Sequence, residues 1–323
     1  MRLATTILVH RLWIFAAFPL AVLALSPLHA AGPKAPGAGT PNSDTALLEY
    51  ASTLTFPTMP NDEVLRGQLA EITHAIERQS LPVADCAKVL GAKKFGDMFT
   101  QLGNLRSNMG EHEAAVEAYR EALICEPRSG QIQGALTAEL TTLGRFDEAR
   151  TAAARGLALD PTDARVISVT ARLDFLQQRW ADATARFQQL ALEESEVNGQ
   201  VLYWRCFLWL SQRRAGVVKP KLPAVDMEID EWPLPILQTL QGFKSEADLR
   251  QIVEEEDNDI TRREQLAEAL FYIGESRLAA GDAETAQRYF ASVVNLKVLY
   301  FIEHQMALNE LATLRANITA NSR

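Results

Sequence analysis

The stretch Met109–Pro127, MGEHEAAVEAYREALICEP, recurs as Leu143–Pro161, LGRFDEARTAAARGLALDP, and again as Gln177–Ser195, QQRWADATARFQQLALEES. The step is 34 residues each time. Gly110, Gly144 and Gln178 align, as do Ala115, Ala149 and Ala183, and Pro127 aligns with Pro161. Gly110 and Gly144, like Gly281 further on, stand where one helix ends and the chain must turn, which favours positive φ. The three alanines let two helices approach closely, where a larger side chain would push their axes apart. Pro127 and Pro161 end the second helix, because proline lacks an N–H and disfavours helix at the preceding residue. Each unit is therefore a pair of helices, and successive pairs must stack to bury their apolar faces.

A 34-residue period with these residues resembles the tetratricopeptide repeat (TPR). The first unit supplies Phe99, Leu102, Gly103, Ala115, Tyr119, Ala122 and Pro127. The second supplies Leu136, Leu140, Ala149 and Pro161 but lacks the aromatics; the third has Ile167, Ala171, Ala183 and Phe187 and no closing Pro. The pattern returns in LAEALFYIGESRLAAGDAETAQRYFASVV, which places Ile273, Gly274, Gly281, Ala286, Tyr289 and Phe290 at the same offsets. The expected fold is all-α: a TPR helix–turn–helix superhelix of three consecutive repeats over 96–195 and one C-terminal repeat with a closing helix over 261–315. That closing helix, from about Phe301 to Leu314, should cover the apolar face of the last repeat.

Other segments are less regular. Residues 61–95 predict N-terminal helices. The first is capped by Asn61 or Asp62 and carries Val64, Leu65, Leu69, Ile72 and Ile76 on one face; the second spans about Val83–Leu90. Residues 196–215 hold the apolar VLYWRCFLWLSQRR, expected to cap the array. Residues 216–260 carry prolines and acids and predict an irregular acidic bridge with two short helices, the second opened by Ser245 with Asp248 in a capping-box position.

The N-terminus carries Arg2 and Arg11, an apolar run from Leu12 to Leu25, and the small-residue stretch before Ala31. These predict a signal peptide over 1–30, cleaved after Ala30, with an uncleaved anchor as the alternative. The expected location is periplasmic or secreted. Residues 31–60 begin AGPKAPGAGTPNSD and predict a flexible tether, whose part from residue 45 shows no clear period. The net charge of −9 becomes about −11 once two of the 32 basic residues and none of the 41 acids are removed. Such a surface repels phosphate backbones, so nucleic-acid binding is not expected. No lipidation Cys follows the apolar run, because the first cysteine is Cys86; no stable membrane anchor is expected after cleavage. Cys86, Cys125 and Cys206 contain no CxxC pair; either one pair bridges and one thiol stays free, or all three are buried apolar side chains.

The apolar helix LYWRCFLWLSQRR, the segment WPLPILQTLQGFKSEADL and the stretch FYIGESRLAAGDAETAQRYFASVVNLKVLYFIEHQMALNEL together resemble the NlpI family of bacterial envelope lipoproteins over about residues 95–315. The closing helix, with Phe301, Glu303, His304, Ala307, Glu310 and Leu311, is the most specific part. The resemblance implies an envelope adaptor, often dimeric, that binds peptidoglycan hydrolases and presents them to a processing protease. The absent lipidation Cys departs from that family.

No catalytic, cofactor or metal site is expected. GxSxG, GxxxxGK[ST] and GxGxxG are all missing. His112-Glu113-Ala114-Ala115-Val116 begins like a zinc-binding HExxH helix, but Val116 stands where the second ligand must be. Glu254–Asp257 with Asp259 lacks the spacing of a calcium loop. The expected activity is therefore binding of protein or peptide segments. First helices of successive repeats line the concave groove, at Asp97, Thr100, Asn104, Ser107 and Asn108, then Gln131, Gly134, Ala138 and Thr141, then Arg165, Ser168 and Arg172. Of these, Thr100, Asn104, Asn108, Gln131, Arg165 and Arg172 are the candidate binding residues: amides can hold a peptide backbone and arginines a carboxylate. A carboxylate clamp would want Lys in place of Thr100 and Asn in place of Ala135. Two other readings stand beside the adaptor: an assembly factor for an envelope or secretion complex, and an enzyme with an unrecognised site in 45–95 or 216–260.

Overall fold

The computed structural model describes residues 45–56, 62–78, 92–193, 197–223 and 231–321. The expected signal peptide, the tether up to residue 44, the expected helix at 83–90 and Cys86 lie outside the described residues. Within them all regular secondary structure is helical. Helices α1 (Ala46–Thr53) and α2 (Asp62–Glu77) come first. Three hairpins follow: α3 (Ala92–Asn108) with α4 (His112–Cys125), α5 (Gly130–Thr142) with α6 (Phe146–Leu159), and α7 (Ala164–Leu176) with α8 (Trp180–Glu193). Then come α9 (Gly199–Arg214), the short α10 (Leu234–Leu240) and α11 (Glu246–Glu254), a fourth hairpin of α12 (Asp259–Ala279) and α13 (Ala283–Leu296), and α14 (Ile302–Asn321). The architecture is the all-α superhelix that the repeat predicts.

Local chemistry explains the hairpins. Gly110, Gly144 and Gly281 take φ of 76°, 69° and 87° at the three inter-helix turns. In the third repeat Gln178 occupies the same turn at φ 58°, accepting a left-handed conformation that costs a side chain about 1 kcal/mol. Ala115, Ala149 and Ala183 are fully buried. Gly103 is equally demanding: a Cβ there would sit 2.5 Å from the Tyr119 ring. Ser129, Asp163 and Asn198 accept hydrogen bonds from backbone N–H groups in the first turns of α5, α7 and α9. Ser245 and Asp248 form the expected reciprocal capping box of α11.

Two apolar clusters make the core. One joins α2 to the first two hairpins through Phe99, Leu102, Tyr119, Ile132, Leu136 and Leu140. The other surrounds α9 and runs to α14. Here α9 departs from its expected role as a terminal cap. Every residue from Val201 to Ser211 is buried, because α9 packs against α8, α10 and α12. A helix apolar on all faces has no side to turn to water, so neighbours must enclose it.

The tether expected over residues 31–60 gives way at its end to α1, whose Ala46, Leu47 and Leu48 are buried against α11, α12 and α13. Glu246, at the start of α11, fastens it. Its Oε1 accepts from the Leu47 backbone N–H at 3.0 Å and from the Tyr289 hydroxyl, and its Oε2 from Arg277 at 3.2 Å. In α2 only part of the expected face is used. Leu69, Ile72 and Ile76 pack on the core, whereas Val64 is 61% exposed. Val64 sits in the first turn of α2, so the apolar face engages only further along. The closing helix reaches Asn321, beyond the expected Leu314. Cys125 is disulfide-bonded and Cys206 is a free buried thiol.

Candidate functional site

Helices α5 and α7, first helices of their hairpins, pack side by side, and α3 reaches α5 through the Ser107–Glu139 hydrogen bond. Residues predicted to line the groove fall into three sets. The first set is engaged within its own hairpin or, for Gly134, against the next one. Asp97 pairs with Lys93 at 3.1 Å, and the Thr100 hydroxyl donates to the Gly96 carbonyl. Asn104 accepts from the Tyr119 hydroxyl at 2.7 Å, and Gly134 lies against Val166. These residues hold the hairpins together, within one repeat or between neighbours, which a count of groove positions cannot foresee.

The second set keeps access to solvent. Asn108 and Gln131 are half-buried. Arg165 is exposed and pairs with its neighbour Asp163 at 3.0 Å, beside the N-terminus of α7.

The third set is covered. Helix α14 lies across α5 and α7, so that Ala138, Thr141, Thr142, Val169, Arg172 and Leu176 face Ile302, Gln305, Met306 and Asn309 across a narrow crevice. Arg172 donates to Ser168 Oγ at 2.9 Å, and the Trp204 indole donates to the same oxygen at 3.3 Å. Burial lowers the Arg172 guanidinium to about 10, against the pull of the Glu303 carboxylate and Tyr272. Arg172 thus serves an internal polar network; Arg165, on the first turn of the same helix, is engaged with Asp163 instead.

Glu139 and Gln305, to which the sequence did not point, complete this junction together with Ser107 and His112. Buried Glu139 on α5 accepts from Ser107 Oγ at 2.7 Å and lies 2.8 Å from His112 Nδ1. His112 Nε2 is 3.1 Å from the Gln305 amide nitrogen. The network therefore assigns the ring proton to Nδ1, donating to Glu139, and leaves Nε2 to accept from Gln305. His112 joins the first hairpin to α14, while Val116, where a zinc helix would need its second ligand, is fully buried. An acidic residue inside an otherwise apolar helix stretch was the available signal for Glu139.

On its other side α14 meets buried acids. Glu303 accepts from Tyr272 at 3.3 Å, and burial raises its carboxyl to about 7. Glu268 accepts from Tyr203 at 2.7 Å and from the Trp232 indole; burial, with Glu303 nearby, holds it well above the usual carboxylate range. Further along, Arg214 donates to Glu275 at 2.7 Å and lies 3.8 Å from Glu310. Burial and the Glu310 charge raise Glu275 to about 8, with Arg214 opposing. Two carboxylates thus share one guanidinium, and the arrangement retains a proton. The acids from Glu254 to Asp259, by contrast, are largely exposed.

On the outer side of the first two hairpins, Leu123, Ile124, Leu136, Leu140 and Ala152 floor an open trough of about 370 Å³ rimmed by Arg120, Glu148 and Arg155. None of the described helices is long and apolar enough to cross a membrane.

A solved tetratricopeptide repeat protein from Parabacteroides merdae ATCC 43184 is similar at 16% identity and a TM-score of 0.44, over 84% of this chain and 99% of that one. Residues 96–123, spanning most of α3 and α4, match the family model described as "Tetratricopeptide repeat", a repeat whose stacked helices form protein–protein interaction scaffolds.

Proposed function

We propose that the protein is a periplasmic or secreted adaptor that holds segments of other envelope proteins on the inner face of its repeats. The observation that carries this is the division of that face: Asn108, Gln131 and Arg165 remain accessible, while the downstream part is closed by α14. Amides can take a peptide backbone as donor and acceptor at once, and Arg165 offers a guanidinium at the rim. The N-terminal Arg2–Ala30 pattern supports export, and the bonded Cys125 fits an oxidising compartment. The resemblance to the NlpI family favours cell-wall hydrolases and a processing protease as partners, and a dimeric state. An assembly factor would use the same face with different clients.

The test is capture from a periplasmic extract with identification by mass spectrometry, comparing the unmodified chain with Asn108→Ala/Arg165→Glu. Partners that disappear with the double variant support the inner face; an unchanged set rejects it. The outer trough gives a second reading, because Ile124 is 41% exposed among other apolar residues. Loss of capture on Ile124→Glu, with the double variant intact, would favour that side.

A further inference from the structure

The residues with which α14 faces α5 and α7 are Ile302, Gln305, Met306 and Asn309. Their spacing is i, i+3, i+4 and i+7, the pattern by which a single helix lies in a groove. The remaining buried residues of α14 include Glu303, Ala307, Glu310, Leu311 and Leu314. These form a different stripe, and α14 packs most extensively on α13 and also on α12. The helix therefore has two working faces, and they are held unequally. The stripe away from the groove is almost wholly buried. On the groove face Met306 is buried, but Ile302, Gln305 and Asn309 are only half-buried, and a crevice remains beside them. The polar links of these residues are few: Gln305 reaches His112 and the Leu299 carbonyl, and the Asn309 amide donates to the Gln305 carbonyl of its own helix. The surface beneath carries Ala138, Val169 and Leu176 around Arg172.

We propose that the groove between α5 and α7 is a receptor for a partner helix bearing apolar residues at i and i+4 and amides at i+3 and i+7, and that α14 fills it in cis until such a helix arrives. This rests on the adaptor reading and adds the chemistry of the client and the means of regulation. A tethered competitor acts at a millimolar effective concentration, so the intact chain takes a partner helix with reduced apparent affinity. Release requires α14 to leave α5 and α7, giving up the burial of Met306 and the attraction between Glu303 and Arg172.

The probe is a fluorescein-labelled synthetic peptide of residues 300–316, titrated by anisotropy against the full chain. Met306→Glu in the chain spoils the cis occupant but leaves the receptor intact. That variant is expected to bind the peptide about tenfold more tightly than the unmodified chain. Adding Ala138→Arg, at a half-exposed position on α5, should abolish the gain, and a peptide carrying Met306→Glu should not bind. Hydrogen exchange should show faster exchange in α14 of the Met306→Glu chain. Should that chain fail to fold by circular dichroism, Ile302→Ala/Gln305→Ala provides the same comparison. Equal affinity for opened and unmodified chains, a gain that survives Ala138→Arg, or unchanged exchange in α14 would each overturn the proposal. The Asn108→Ala/Arg165→Glu capture experiment uses residues outside this crevice, so either idea can fail while the other stands.

Discussion

Raising the pH through neutrality should weaken the seat of α14 against α12 and α9, and the size of the effect follows from the buried acids. Glu275 on α12 faces Arg214 on α9 and Glu310 on α14, and its carboxyl is raised to about 8 from an ordinary 4.5. Glu303, beside Tyr272 and Arg172, is raised to about 7. Both are protonated in the folded chain where the unfolded chain has already lost the proton. Their favourable contribution is complete below about pH 4.5 and is lost as the pH rises towards their folded values. At 1.36 kcal/mol per unit, moving from about pH 6.5 to about pH 8 costs roughly 2 kcal/mol through Glu275 and a smaller amount through Glu303. His304, which burial shifts downward from 6.5, opposes this trend only at lower pH and so stays out of the window. Urea unfolding followed by tryptophan fluorescence, which reports on buried Trp204 and Trp232, measures the difference. Glu275→Gln keeps the shape and removes one titration, so its loss over the same interval should be smaller by roughly 2 kcal/mol. A stability that is flat or rises with pH, or a Glu275→Gln chain as steep as the unmodified one, would refute the assignment.

Three further outcomes follow from single positions. Gly103→Ala places a Cβ 2.5 Å from the Tyr119 ring and should cost about 1–3 kcal/mol in thermal unfolding, with no loss expected for Gly67→Ala, where the space is open. Gln178→Gly relieves the left-handed turn of the third repeat and should stabilise by about 0.5–1 kcal/mol, seen as a higher urea midpoint. Glu246→Ala leaves the Leu47 N–H, Tyr289 and Arg277 without their shared acceptor; a loss of about 3 kcal/mol and faster exchange at α1 amides are expected, with little change in the first hairpin.

The repeats were legible because their residues are local requirements. Gly110, Gly144, Ala115 and Ala149 serve turns and close helix pairs within tens of residues, so their spacing survives as a period in the chain. Helix ends were legible for the same reason: Pro127, Pro161 and the Ser245–Asp248 box act on neighbouring backbone. The groove was legible only as a set of positions. Which of them stay free depends on partners distant in the chain: Tyr119 for Asn104, Glu139 for Ser107, and α14 for Thr141 and Arg172. Helix α1 was missed because eight residues carry too short a pattern, and its stability comes from Glu246, 199 residues away from Leu47.

By itself, then, the sequence determined the all-α class, the three stacked hairpins, the fourth hairpin and most of the helix boundaries, since each rests on backbone constraints satisfied within one repeat. Tertiary structure alone decided that α9 is an enclosed centre rather than a cap, that α1 is fastened to the C-terminal half, and that α14 turns one face into the groove. Those three arrangements depend on which apolar and acidic surfaces meet across long separations. An amphipathic stripe states that a face will be buried, but not against what.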